Sequence, residues 1–238
     1  DLAKVRELLE ADTDPNERSN SGWTALHKLG MDGAPEMARF LVEHGAALEA
    51  VDSLQETPLI KACTFGNKKL IPVLIELGAN VNHVAKERHT ALWYAIFSMK
   101  DLETVKLLIA QGANPNEEYL YGQNAFLHAV YSQQAEIVNY LLPLAEDVGR
   151  LDKHDVCAIN FAASYNDVDL IKKLLQRGVS ANQVNSYGHT PIMSAAEHDS
   201  LAAARLLLEH GADPLARSKY GDSAVAIAER RGNEAMCQ

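Results

Sequence analysis

Cysteine is scarce in this chain of 238 residues: Cys63, Cys157 and Cys237 are the only three. Their wide, irregular spacing excludes a disulfide framework and a zinc-ligand pattern, and an unpatterned odd number points to a reducing compartment. Long hydrophobic runs are missing, since no apolar stretch approaches the ~18 residues a membrane helix requires. Positive charge is in deficit, with 22 Lys and Arg against 32 Asp and Glu and a net charge of −10. That excludes a general affinity for nucleic acid, whose phosphates need Lys and Arg to displace their counterions. A starting methionine is absent as well. The opening at Asp1 predicts a processed or trimmed start, with a former signal peptide left open. What the chain does have is 47% apolar residues, enough for a sizeable core and too many for disorder.

Internal repetition is the dominant signal. Segments related to "GHTPIMSAA" from Gly188 begin at Gly22, Gln55, Arg88, Gly122, Asp155 and Gly221, with steps of 33, 33, 34, 33, 33 and 33 residues. Two positions after six of the seven starts stand Thr24, Thr57, Thr90, Asn124, Thr190 and Ser223, side chains suited to accept from the free N–H groups of a helix start. Pro58 and Pro191 follow, where a first helical residue needs no donor. A short helix rich in small residues comes next, as at Ala195-Ala196, and then a more apolar one such as "DLIKKLLQRGVSA". Gly45, Gly78, Gly112, Gly178 and Gly211 are placed to stop that second helix in the left-handed conformation. One such helix pair cannot bury its apolar face alone, so stability must come from stacking.

Thr-Ala-Leu-His at 24–27, Thr-Pro-Leu at 57–59, Thr-Pro-Ile at 190–192, Gly-Ala-Asp-Pro at 211–214 and the 33-residue period together resemble the ankyrin repeat. The resemblance covers the full chain. It implies an all-α solenoid of about seven helix-turn-helix units starting near 19, 52, 85, 119, 152, 185 and 218, in one domain spanning 1–238. A half-repeat over 1–18 would precede the units, and a shortened capping repeat would close the chain. Several units depart from the family pattern. The family histidine is present only at His27, and the other units carry Ile60, Trp93, Leu127, Asn160, Met193 and Ala226 there. Repeat five has Asp155 for glycine and Cys157 for threonine, and Ala145 replaces the helix-stopping glycine of repeat four. One extra residue near Met99 is expected to lengthen the turn between the helices of repeat three.

Nine histidines invite a search for chemistry. By the resemblance His27 is structural, hydrogen-bonding between units. His44 and His210 sit in matching "EHGA" helix ends, where a cation suits the dipole. No Cys-x-x-Cys, His-Glu-x-x-His, phosphate-binding glycine loop or dinucleotide fingerprint occurs. Cys63 occupies a small-residue packing slot and Cys157 a capping slot, so both read as inert thiols. The expectation is therefore no enzyme, no cofactor and no metal.

The resemblance also indicates which positions contact partners: those flanking the turn glycine and those at the end of the first helix. Eight of the chain's 15 aromatics fall there, Trp23, Phe65, Phe97, Tyr121, Tyr131, Tyr165, Tyr187 and Tyr220. His89, Lys153, His189, Glu197 and His198 share this face. Its acids are Asp32, Glu56, Glu87, Glu118, Glu197 and Asp222, and its bases are Lys86, Lys153, Arg217, Lys219, Arg230 and Arg231. Repeats one to four thus sum to −3 and repeats five to seven to +3, around a nearly uncharged centre of Tyr121, Tyr131, Val156 and Tyr165. An aromatic middle with opposite flanks reads as an oriented protein-binding face.

The expected function is non-catalytic binding of a protein partner, as adaptor or scaffold. The alternatives are an inhibitor or immunity protein that neutralises a toxin or enzyme, and an ankyrin fragment of a larger multidomain enzyme or channel. No nucleic acid and no membrane insertion are expected, and the chain should be monomeric on its own. A cytoplasmic location is expected, with a processed secreted or periplasmic form as its alternative.

Overall fold

The structure, a computed structural model, describes Glu7 and residues 13–237. Among the described residues every regular element is helical, and the chain divides into two compact units, Asp1–Leu120 and Tyr121–Gln238. The first contains α1 (Ala25–Asp32), α2 (Pro35–Glu43), α3 (Pro58–Phe65), α4 (Leu70–Glu76), α5 (Ala91–Tyr94) and α6 (Leu102–Ala110). The second contains α7 (Ala125–Tyr131), α8 (Ala135–Leu141), α9 (Ala158–Ser164), α10 (Val168–Gln176), α11 (Pro191–Glu197), α12 (Leu201–Glu209), α13 (Ala224–Arg231) and α14 (Glu234–Cys237). No helix is long and apolar enough to cross a membrane. Apart from Glu7, the helix expected in the half-repeat 1–18 lies outside the described residues.

The repeat register is visible in the backbone. All seven aligned turn residues adopt the left-handed conformation: Gly22, Gly122, Gly188 and Gly221 at φ +71° to +83°, and Gln55, Arg88 and Asp155 at +60° to +61°. Thr57, Thr90, Asn124 and Ser223 accept from the backbone N–H three residues on, as their cap positions require. At Thr24 and Thr190 the residue three on also bonds back, with His27 Nδ1 and Met193 Sδ accepting from the threonine N–H groups. The five glycines that stop the second helices all lie at φ between +82° and +98°.

Within each unit the first helices stack on one another through small residues. Ala62 and Cys63 are buried in one unit, and Ala129, Ala162, Ala163, Ala195 and Ala196 in the other. Leucines complete the layer beneath, Leu26, Leu59, Leu70, Leu74 and Leu108 on one side and Leu127, Leu174 and Leu207 on the other. Each fully buried leucine contributes about 1.5–3 kcal/mol relative to exposure. Fingers join by backbone bonds, Ser53 N to Ser21 O and Lys86 N to Leu54 O in the first unit, Lys153 N to Tyr121 O and Lys219 N to Tyr187 O in the second. At the opposite edge asparagines tie neighbouring turns together. Asn82 donates to Gly112 O at 2.8 Å and accepts from Asn114 N at 3.0 Å, and Asn182 does the same with Gly211 O and Asp213 N.

Two irregularities have local causes. The extra residue of repeat three does not lengthen a turn; it is absorbed into the first helix, where α5 widens into a π-helical segment over Ala95–Met99 before Lys100 reverses the chain at φ +50°. In repeat four, where glycine is missing, the chain leaves through a 3₁₀ turn over Leu142–Leu144 and Ala145 stays extended. Its free carbonyls are closed from the next repeat: Arg177 donates Nη1 to Leu142 O at 2.8 Å and Nη2 to Ala145 O at 2.9 Å.

Candidate functional site

In the first unit the expected residues build an aromatic surface over a buried ion cluster. Trp23 meets Phe65 edge-on at 5.9 Å, and its indole Nε1 donates to Asp52 Oδ2 at 3.0 Å. Lys61, on α3, donates to that same oxygen at 2.8 Å and also to Glu56. Tyr94 donates its hydroxyl to the other Glu56 oxygen at 2.5 Å. Asp52, Glu56 and Lys61 are all buried, at 3–4% exposure. Glu56 was expected on the open face; it is instead consumed by Lys61 and Tyr94, and contributes no charge there. Burial raises the Asp52 carboxyl, and the Lys61 ammonium with the Glu56 and Leu54 N–H groups outweighs it, holding the group below the usual carboxylate range. Burial and the bond to Glu56 push the Tyr94 hydroxyl up.

The π-segment arranges the other rings of this unit. His89, Trp93 and Phe97 form a near-parallel column, with centroids 3.8 Å and then 4.6 Å apart, and Tyr94 meets Trp93 edge-on at 4.8 Å. Burial pulls the His89 ring below its usual pKa against the opposing pull of Glu87 and Glu56. Sequence reasoning did not select Trp93, Tyr94 or Lys61. Trp93 had a signal, since it fills the slot where the family carries histidine.

His27 is structural, as expected. Its Nδ1 accepts from Thr24 N at 3.1 Å, which leaves Nε2 to donate to Glu56 O at 3.0 Å in the neighbouring repeat. Burial lowers its pKa. Both described thiols are buried: desolvation pushes Cys63 up to about 12, and Cys157 is raised too while donating to Asn160 Oδ1 at 2.8 Å.

The second unit carries the remaining expected residues in three groups. At the fingertips Tyr187 lies parallel to Tyr220 at 6.1 Å, Tyr121 meets His154 at 5.3 Å, and Lys153 is exposed beside them. At the helix ends Tyr131 meets Phe161 edge-on at 5.3 Å, Phe161 lies parallel to Tyr165 at 6.1 Å, and the Tyr165 hydroxyl donates to Tyr131 O at 3.3 Å. The third group is a groove of about 330 Å³ lined by Asp155, Phe161, Tyr165, His189, Glu197 and His198 with their neighbours. His189 Nε2 stands 3.6 Å from Glu197 Oε2, and His198 Nδ1 donates to Ser194 O at 3.0 Å. The centre expected to be nearly uncharged therefore contains the carboxylate of Asp155. Among the described residues no three or more His, Cys, Asp or Glu are grouped as a metal would need.

Stacked helix pairs with solvent-facing fingers and inner helices define a repeat protein of the binding-scaffold type. The chain belongs to the ankyrin repeat family: the model described as "Ankyrin repeats (3 copies)" matches residues 1–85, 78–152 and 159–238. It is 26% identical to the ankyrin repeat protein YahD of Escherichia coli over 179 residues, 73% of this chain and 89% of that one. It is 26% identical to an L-asparaginase of Dirofilaria immitis and 27% to the E3 ubiquitin-protein ligase KEG of Arabidopsis thaliana, but spans only 29% and 13% of their lengths. The human ASB11 ankyrin repeat domain superposes with a TM-score of 0.74 at 26% identity, covering 90% of this chain and 96% of that one.

Proposed function

We propose that the chain is a non-catalytic binding module that takes a protein partner on its fingertips and inner helices. The observation that carries this reading is exposure. Phe65, Phe97, Tyr121, Tyr131, Tyr165, Tyr187 and Tyr220 are each 38–76% exposed, so seven large rings place apolar area in water. They recur at matched repeat positions, and each is a rigid amphipathic anchor of the kind interfaces concentrate. Trp23, Phe65, His89 and Phe97 serve the first unit; Tyr121, Tyr131, Lys153, Tyr165, Tyr187, His189, Glu197, His198 and Tyr220 serve the second. Charges around them, without Glu56, set the orientation of the partner.

Affinity capture from the native source tests this, with wild type beside Phe97→Ala and Tyr131→Ala/Tyr165→Ala variants of unchanged helicity. A partner held by wild type and released by either variant supports the reading. Equal retention by both moves the interface to the second helices. If the captured partner is an enzyme, loss of its activity on binding marks an inhibitor, and retention marks an adaptor. A second reading, an ankyrin segment of a larger protein, is favoured by the 29% and 13% coverage of two relatives. Sequencing the full-length transcript decides it.

A further inference from the structure

Among the described residues, the groove on α9 and α11 holds carboxylate oxygens that the protein's own donors leave free, beside the polar side chains of Asn160, Ser164, Asn185 and Ser194. Among the described residues, the only partner of the Glu197 carboxylate is the His189 ring at 3.6 Å, beyond hydrogen-bonding distance. Asp155 spends one oxygen on the Ser186 hydroxyl and keeps the other open. His198 donates through Nδ1 to Ser194 O, so in its neutral form Nε2 is an acceptor. The apolar wall consists of two near-parallel rings, Phe161 and Tyr165, 6.1 Å apart. At about 330 Å³ the space sits at the lower end of ligand sites and suits one long side chain.

A flat, permanently charged group with several donors and no acceptor matches that inventory, and among side chains only the guanidinium of arginine has those properties. Its plane can lie on the Tyr165 or Phe161 ring while its edge donates to Glu197 and Asp155. We infer that this groove receives an arginine side chain of the protein partner, an inference that rests on the binding function proposed above. The surrounding fingers carry exposed Lys153, Arg217 and Lys219. An isolated cation would be repelled on approach, so the arginine arrives on a segment with acidic neighbours that meet those bases.

The test is a titration of the ¹⁵N-labelled chain with acetyl-Glu-Arg-Glu-amide, and with the same peptide carrying citrulline, which keeps the shape and loses the charge. Saturable amide shifts confined to residues around Tyr165, His189 and His198 are expected with arginine, and at least tenfold weaker binding with citrulline. Glu197→Gln and Asp155→Asn should each weaken arginine binding about fivefold at unchanged thermal unfolding; two variants guard against one misfolding. Equal binding of the two peptides, shifts elsewhere, or full affinity in both folded variants overturns the inference. The binding function fails separately. A native partner still captured in full by Glu197→Gln would remove the arginine groove and leave that function standing. Peptide binding in the groove with no captured partner would do the reverse.

Discussion

In the unit Asp1–Leu120, Lys61 on the inner helix α3 lies buried between Asp52 and Glu56; in the unit Tyr121–Gln238, Glu197 on the inner helix α11 has, among the described residues, the His189 ring alone beside it. By repeat register the slots of Asp52, Glu56 and Lys61 are filled in the repeat that carries α11 by Asn185, His189 and Ser194. One set of slots thus holds two carboxylates and an ammonium that satisfy one another; the other holds neither a carboxylate nor an ammonium and leaves oxygens of the nearby carboxylates free. Both surfaces rest on the same helix pairs. The difference shows that helix stacking does not specify what a repeat surface offers a ligand. That depends on whether its charges are used internally.

The comparison breaks most directly at Lys61. Lys61→Met leaves two buried carboxylates facing each other without a cation, and should cost about 3–5 kcal/mol in urea unfolding. Removing the charge of Glu197 as Glu197→Gln should cost less than about 0.5 kcal/mol, because no internal partner is lost. Costs of similar size would show that both carboxylate sets are structural.

Acid should act through the first unit. Burial holds the folded pKa of His27 below its usual 6.5, so the unfolded chain binds a proton that the folded chain refuses. Stability therefore rises with pH between the folded pKa and 6.5, and on acidification it falls through that window and then levels off. His89 adds to this with the same sign. The contribution of Asp52 is lost only at lower pH, as it falls from 3.8 through its depressed folded pKa. Urea midpoints at about pH 7.5 and about pH 5.5 should differ in wild type. His27→Asn, which copies Asn160 from the second unit, should remove much of that difference, and an undiminished slope would place the sensitivity elsewhere.

The smallest effect concerns the turns. The first unit places Gln55 in the left-handed conformation where Gly122, Gly188 and Gly221 stand in the second. Gln55→Gly should stabilise by up to about 1 kcal/mol by removing the Cβ clash, read as a rise in thermal midpoint. The reverse change Gly22→Ala should destabilise. Its Cβ would strain the backbone at φ +79° and press to 3.2 Å on Ser53 N.

The helix pairs were legible in the sequence because each start and stop is encoded locally, by Thr57 and Asn124 accepting from N–H groups and by glycines taking positive φ. Even Gln55, Arg88 and Asp155 could be placed by period alone. The extra residue of repeat three could be counted but not located, since a turn and a π-segment absorb one residue equally well on paper. The aromatics of the face were legible for the same reason of register. Lys61, Tyr94 and the burial of Glu56 were not, because the ion cluster forms only once Lys61 folds back on Asp52 and Glu56 and Tyr94 arrives from the next repeat.

The sequence by itself therefore determined the repeat, its register, its caps and the set of rings placed toward solvent, all of which follow from conformational preferences a few residues long. Only the tertiary structure decided which charges remain available. Glu56 is closed off by Lys61 within its own repeat and by Tyr94 from the next, while among the described residues Glu197 has only the His189 ring, at 3.6 Å. Solvation and pairing of a charge depend on atoms brought within a few ångströms by stacking, some of them more than thirty residues away along the chain.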